Sequence, residues 1–254
     1  VMGRAMTHAD NAYFIPDVEI RGTVCRTNMP PNTAFRGFGG PQGVCTIENV
    51  MEEIAAFLKK DALEVRKLNC YGVDTRNRTP YGQVVENNTL PRLFTELPER
   101  AGYARRMAEV KKFNASSPTH LKGLSATAVK FGISFNTKFL NQANALVNIF
   151  LDGSVQVSTG ATEMGQGVNT KIQQVVADGL GISTDRVIVM IPSTEKNNNT
   201  PATAASSAAD LNGGAAADAC RRLRARLAEA FQQSTATQGE VMFADGLVWA
   251  ASDL

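Results

Sequence analysis

An α+β fold is predicted, with mixed sheets packed against helices in two adjoining parts. Three observations lead there. Apolar residues recur at three-to-four spacing through Val44, Ile47, Met51, Ile54, Phe57 and Leu58, the period of an amphipathic helix. Beyond Asn114-Ala115-Ser116-Ser117-Pro118-Thr119, which has the composition of a linker, the pattern changes to short runs rich in β-formers. Those runs come in the order strand, strand, helix, strand, helix, which implies a layered α+β arrangement and not a simple doubly wound sheet.

Each element follows in order. Residues up to about Gly22 read as mixed and extended, with Ile15-Pro16-Asp17 as a turn. After the Val44–Leu58 helix, Asp61-Ala62-Leu63-Glu64 reads as a capping box that opens a second helix through about Leu68. Residues 72–90, rich in Asn, Thr, Gly and Arg, read as a surface excursion. Pro91 and Pro98 are each placed to start a helix, the second running to about Phe113. Ala126–Ser134 and Ala145–Phe150 read as strands, and Asp152-Gly153 is a hairpin turn into Ser154–Ser158. Gly165-Gln166-Gly167 opens a helix to about Leu180, with Ile172, Val175, Val176 and Leu180 on its apolar side. A buried strand at Val187–Ile191 and a polar loop at Ser193–Thr203 lead into an alanine-rich helix that ends near Gln233. Val241–Trp249 reads as a last hairpin turned at Asp245-Gly246.

Composition narrows the function classes. With 43% hydrophobic and 20% charged residues over 254 positions, the chain has the make-up of a soluble globular protein with a real core. Its 26 basic and 24 acidic residues nearly cancel, so no net field recruits nucleic acid or an anionic membrane. The cluster Arg221, Arg222, Arg224 and Arg226 reads as a solvated helix face. Cys25, Cys45, Cys70 and Cys220 form no C-x-x-C pair, which predicts reduced thiols in a cytoplasmic protein, not a zinc site or a disulfide framework. His8 and His120 are the only histidines, too few for a histidine-ligated metal. Neither a signal peptide nor a membrane-length apolar run is present, and the opening on Val1 reads as a fragment.

The polar chemistry is concentrated in three segments, each just before a helix. The first, Thr33-Ala34-Phe35-Arg36-Gly37-Phe38-Gly39-Gly40-Pro41-Gln42-Gly43, combines exposed main chain, an arginine and two aromatics. Glycine lets a polar ligand approach the backbone, helix N-termini attract anions, and arginine adds a planar charged fork. The alternative is a glycine-rich turn with a buried phenylalanine on each side. The other two segments are Thr162–Gly167 and Thr200–Ser207. Together the three imply a large phosphorylated cofactor, yet none fits a P-loop or a dinucleotide fingerprint. Three unrelated helix caps remain the competing explanation.

Five separated motifs then resemble a known family. They are Arg4-Ala5 with Asp10-Asn11, the stretch from Thr27-Asn28 through Asn32 to Gln42, Lys130–Phe135, Thr162–Gly167, and Thr203-Ala204-Ala205-Ser206. In order and spacing they resemble the molybdenum hydroxylases, and within them the molybdopterin-binding part of the xanthine dehydrogenases. The resemblance implies that residues 1–117 are the C-terminal portion of a first molybdopterin-binding domain and residues 118–254 the N-terminal portion of a second. It implies a molybdenum–molybdopterin cofactor and hydroxylation of an electron-poor carbon with oxygen from water. Electrons would leave through 2Fe-2S clusters to FAD and NAD, all outside this chain.

Site roles follow by matching position. Arg4 would face the purine and stabilise developing charge, while Phe38 and Phe135 would hold its ring and Asn136 would stand beside it. Arg36 and Gly37 would lie along the cofactor. Gly165 and Gln166 would touch the pterin, and Ala204, Ala205 and Ser206 would pass close to it. Arg36 and Ala205 would come near the metal through main chain, not as side-chain ligands. Expected partners are a purine substrate, iron–sulfur and FAD domains, and further segments of the same subunit in an oligomeric enzyme.

The sequence also departs from the family pattern. Asn136 replaces a threonine, Ala161 replaces a glycine, and Glu195-Lys196-Asn197-Asn198 is an unusual loop. The family's catalytic glutamate has no match here, Glu163 is not at its position, and the chain by itself is expected to be inactive. Two other readings are a related hydroxylase acting on an aldehyde, carbon monoxide or an N-heterocycle, and a non-catalytic cofactor-binding scaffold.

Overall fold

The computed structural model describes residues 1–31, 33–196 and 200–251, which leaves Asn32 of the first glycine segment and Asn197 and Asn198 of the unusual loop outside the described residues. The chain divides into two units, Val1–Gly132 and Ile133–Leu254.

The first unit is helical. Helix α1 spans Met2–Thr7, where the sequence predicts extended chain. Met, Arg and Ala are good helix formers, but six residues are too few to show a period or to stand alone. The helix is held by α2, Gly40–Leu58. A Cβ at Gly39 would lie far inside van der Waals contact with the Val1 carbonyl, and one at Gly43 would overlap the Ala5 carbonyl. These two glycines are therefore needed for close helix packing. Ile47, Met51 and Ala55 carry the buried stripe of α2 against Tyr13 and Val65.

Helix α3, Ala62–Asn69, starts on the Asp61 side chain, which accepts from the Leu63 N–H at 2.8 Å. Helix α4 is Leu90–Arg100 and has Pro91 in its first turn. Pro98 sits inside α4 and does not begin the next helix; that role falls to Gly102, whose φ of 60° turns the chain into α5, Tyr103–Ser116.

Ala126–Ser134 is not a strand. Its burial alternates from Leu124 to Lys130 as the sequence predicts, but no ladder forms. The buried Asn11 side chain takes the place of a neighbour, donating to the Ala128 carbonyl and accepting from the Lys130 N–H. Lys130 also pairs with the buried carboxylate of Asp10.

The second unit follows the predicted order. Strands β1, Ala145–Ile149, and β2, Val155–Thr159, form an antiparallel hairpin. Helix α6, Val168–Leu180, crosses to β3, Val187–Val189, which lies parallel to β2. Helix α7, Ala208–Thr235, packs on α6, where Gly179 leaves room for Cys220. The hairpin β4, Val241–Ala244, and β5, Leu247–Ala250, turns at Asp245-Gly246. The core is built mainly from β2, α6 and α7, with Val157, Ile172, Val176 and Cys220 fully enclosed.

Candidate functional site

In the first unit the site residues gather at the α1–α2 junction. Arg4 is buried on α1 and donates from Nη1 to the Gly132 carbonyl at 2.9 Å. The Gly132 N–H points at His8 Nε2, 3.1 Å away, and His8 Nδ1 lies 2.8 Å from the Arg4 carbonyl. Because Nε2 must accept from an N–H, the ring proton sits on Nδ1 and is donated to Arg4. Burial, together with the charges of Arg4 and Lys130, holds the imidazole below its ordinary 6.5, against the opposing pull of its bond to Arg4 and of Asp10. The Phe131 ring lies against His8, tilted by 42° with ring centroids 4.8 Å apart, and its centroid is 5.9 Å from the Arg4 guanidinium carbon.

The first glycine segment is solvent-facing. Phe35 and Phe38 are 84% and 47% exposed, so the turn does not carry buried phenylalanines. Arg36 is exposed beside them, Gly37 has a φ of 95°, and Phe38 itself takes a φ of 44°, uncommon for a bulky residue. Strain of this kind is kept where the surroundings over-determine it, and here Gly37 is wedged against Pro41.

In the second unit the Thr162–Gly167 loop is organised by Glu163. One carboxylate oxygen accepts from the N–H groups of Gly165 and Gly167 at 2.8 and 3.0 Å, and the other from Asn169 at 3.0 Å. These bonds hold the acid below its ordinary value. Gln166 closes the same loop, accepting from Met164 N–H and donating to the Thr162 carbonyl. Gly165 and Gly167 have φ of 95° and 75°, with open space where a Cβ would stand.

The loop is tied to the Thr200–Ser207 segment, because Thr162 N–H donates to Thr203 Oγ1 at 2.9 Å. Ala205 and Ser206 both have φ near 56°, and the Ala205 carbonyl accepts from Ser134 N–H at 2.7 Å. Half-buried Phe135 is next, its backbone bracketed on both sides by the Asn141 amide, and Asn136 is exposed beyond it. The structure thus brings the Gly165, Ala205 and Phe135 segments together within the second unit, and Arg4 and the Arg36–Phe38 turn flank α2 in the first. An open cleft of about 740 Å³ elsewhere in the second unit, lined by Asp152, Asp178, Arg186 and Asp245, includes none of these residues.

Comparison with known proteins decides the family. Models of the molybdopterin cofactor-binding domain match residues 1–70 and 96–253. The chain belongs to the molybdopterin cofactor-binding domain family. Among its relatives, the xanthine dehydrogenase of Dictyostelium discoideum is 44% identical over 227 residues, covering 89% of this chain and 17% of the relative. The xanthine dehydrogenase/oxidase of Mus musculus is 45% identical over the same shares of each. The crystal structure of quinoline 2-oxidoreductase from Pseudomonas putida 86 matches with a TM-score of 0.74 at 23% identity, covering 86% of this chain and 29% of that one. The chain therefore spans about a sixth of the length of these curated relatives.

The residues present fit such a cofactor. No group of three or more His, Cys, Asp or Glu among the described residues is placed to hold a metal ion. What the second unit offers is open main chain: Gly165 and Gly167, in a loop held in shape by the Glu163 carboxylate, have free space where a Cβ would stand. Backbone that can be approached so closely suits the polar body of a molybdopterin. Sequence reasoning passed over His8, treated only as too rare to ligate a metal, and Glu163, set aside because it is not the catalytic base. For Glu163 the signal was available: an acid two residues before a Gly-x-Gly helix start is placed to cap it.

Proposed function

We propose that this chain is part of the cofactor- and substrate-holding region of a molybdenum enzyme that hydroxylates hypoxanthine and xanthine toward urate. The observation that carries the reading is the 44–45% identity with xanthine dehydrogenases over 89% of the chain. Residues 1–117 and 118–254 then belong to two successive molybdopterin-binding domains. When bound, the molybdenum cofactor supplies the two-electron redox chemistry of the hydroxylation.

The chain's own residues hold and orient. Gly165 and Gln166 present backbone and amide to the pterin, with Ala204, Ala205 and Ser206 passing it closely because their side chains are small. Arg36 and Gly37 lie along the cofactor. Phe38 and Phe135 offer ring faces and edges to a flat heteroaromatic, and Asn136 supplies an amide beside it. Arg4 carries a permanent positive charge, and its burial strengthens its action on negative charge that develops on a purine oxygen. The general base and the iron–sulfur, FAD and NAD chemistry are supplied by other segments and partner domains of an oligomeric enzyme. Free thiols at all four cysteines fit a cytoplasmic setting.

Substrate choice is the part to test. In the assembled holoenzyme, Arg4→Met is expected to depress turnover of xanthine selectively, leaving an aldehyde substrate little affected. An equal effect on both substrates, or none, favours a related hydroxylase acting on aldehydes or N-heterocycles.

A further inference from the structure

We propose that His8 is a positioning residue for Arg4: its neutral ring closes a hydrogen-bonded circuit that fixes the guanidinium, and the circuit opens when the ring takes up a proton. The kinetic consequence rests on the reading of Arg4 as substrate-facing, whereas the circuit rests on geometry alone.

Three bonds make the circuit. Arg4 Nη1 donates to the Gly132 carbonyl, Gly132 N–H donates to His8 Nε2, and His8 Nδ1–H donates to the Arg4 carbonyl. The ring is 1% exposed, so it has no water to exchange these partners for. Protonation leaves the Nδ1 bond intact and changes only the other side, where Nε2–H would meet the Gly132 N–H, donor against donor. The charged groups facing the ring decide how it responds. Arg4 and Lys130 resist a second positive charge, while Asp10 favours it. Asp10 is already committed to Lys130 and to the Tyr71 hydroxyl, which donates to it at 2.6 Å.

Gly132 is suited to move. It is exposed and carries no side chain, so only backbone has to shift when its peptide turns. Turning removes this acceptor from Arg4. Phe131, tilted against His8 and closed over Gly40, transmits the same displacement to the start of α2. A lone buried histidine of this kind is a pH-dependent positioning device.

The test has two arms. In the 254-residue chain, ¹⁵N NMR follows the His8 ring, the Gly132 amide and the Arg4 side chain from pH 4.5 to 7.5. The expected result is one shared midpoint below about 6.5, with a Nδ1–H tautomer above it. Independent titration of Arg4 and Gly132, or a Nε2–H tautomer, overturns the proposal without touching the purine reading.

In the holoenzyme, kcat/KM for xanthine is expected to fall on the acid side by up to about tenfold per pH unit, the limit for one ionisation. The acid dependence of kcat/KM for an aldehyde should lack that component. His8→Gln, which cannot titrate but keeps a donor and an acceptor, should flatten the fall. An unchanged acid fall in His8→Gln overturns the kinetic role. If Arg4→Met leaves xanthine turnover intact while the NMR midpoints coincide, the purine reading fails and the circuit stands.

Discussion

Glu163 shows how much one side chain can organise. Its carboxylate accepts from the N–H groups of Gly165 and Gly167 in the loop and of Asn169 in the first turn of α6, and so fixes the orientation in which Gly165 and Gln166 face outward. Glu163→Gln is expected to raise amide exchange at Gly165, Gly167 and Asn169 while leaving Ile172 in the core protected. Because its acidity is strengthened in the fold, the parent loop should keep its protection down through pH 4.5 and lose it only as pH falls below that ordinary value. Uniform exchange in parent and variant would show that the carboxylate does not order the loop. At this scale the sequence was only partly legible. Arg4 and Phe135 stand out by motif, but the role of Asn11, which reaches residues 128 and 130 more than a hundred positions away, depends on a fold that no local pattern encodes.

At the scale of elements, legibility followed length and pairing. Long periodic segments such as α2, α6 and α7 announced themselves through their apolar spacing, and the β1–β2 and β4–β5 hairpins through their Asp-Gly turns. Helix α1 escaped notice because its stability comes from packing on Gly39 and Gly43, not from its own sequence. Residues 126–134 kept a strand's alternation but lacked a ladder, since Asn11 occupies the place of a partner.

Gly43→Ala should destabilise the first unit by about 2–4 kcal/mol, as overpacking in a tight site does, read from the midpoint of urea unfolding. A loss below about 0.5 kcal/mol would mean that α1 is free to shift. Between α6 and α7, burial pushes the Cys220 thiol up to about 11 from 9.0. A group whose folded value is raised stabilises fully below its unfolded value, and this contribution is lost as pH climbs from 9 through 11. It amounts to roughly 3 kcal/mol at most. Cys220→Ala should flatten that part of the alkaline unfolding profile, and an unchanged slope would place the ionisation elsewhere.

The whole molecule pairs two kinds of interior. The second unit has an apolar core of valines and small residues, whereas the first is threaded by a polar network. In it Arg66, 2% exposed, binds Glu48 and Glu52, and Glu48 also accepts from Tyr13 and Asn11. Such a network costs desolvation and returns little net stability, but leaving any member unpaired is expensive. It therefore fixes the geometry behind α1, where Arg4 is held. A single short helix that composition and periodicity missed thus carries the residue on which the proposal for substrate choice rests. The most direct measurement is kcat/KM for xanthine and for an aldehyde in the assembled holoenzyme, with and without Arg4→Met. Loss of one charge-stabilising donor predicts a fall of about 10²–10³ for xanthine and little change for the aldehyde; parallel falls, or undiminished xanthine turnover, would contradict a purine-directed Arg4.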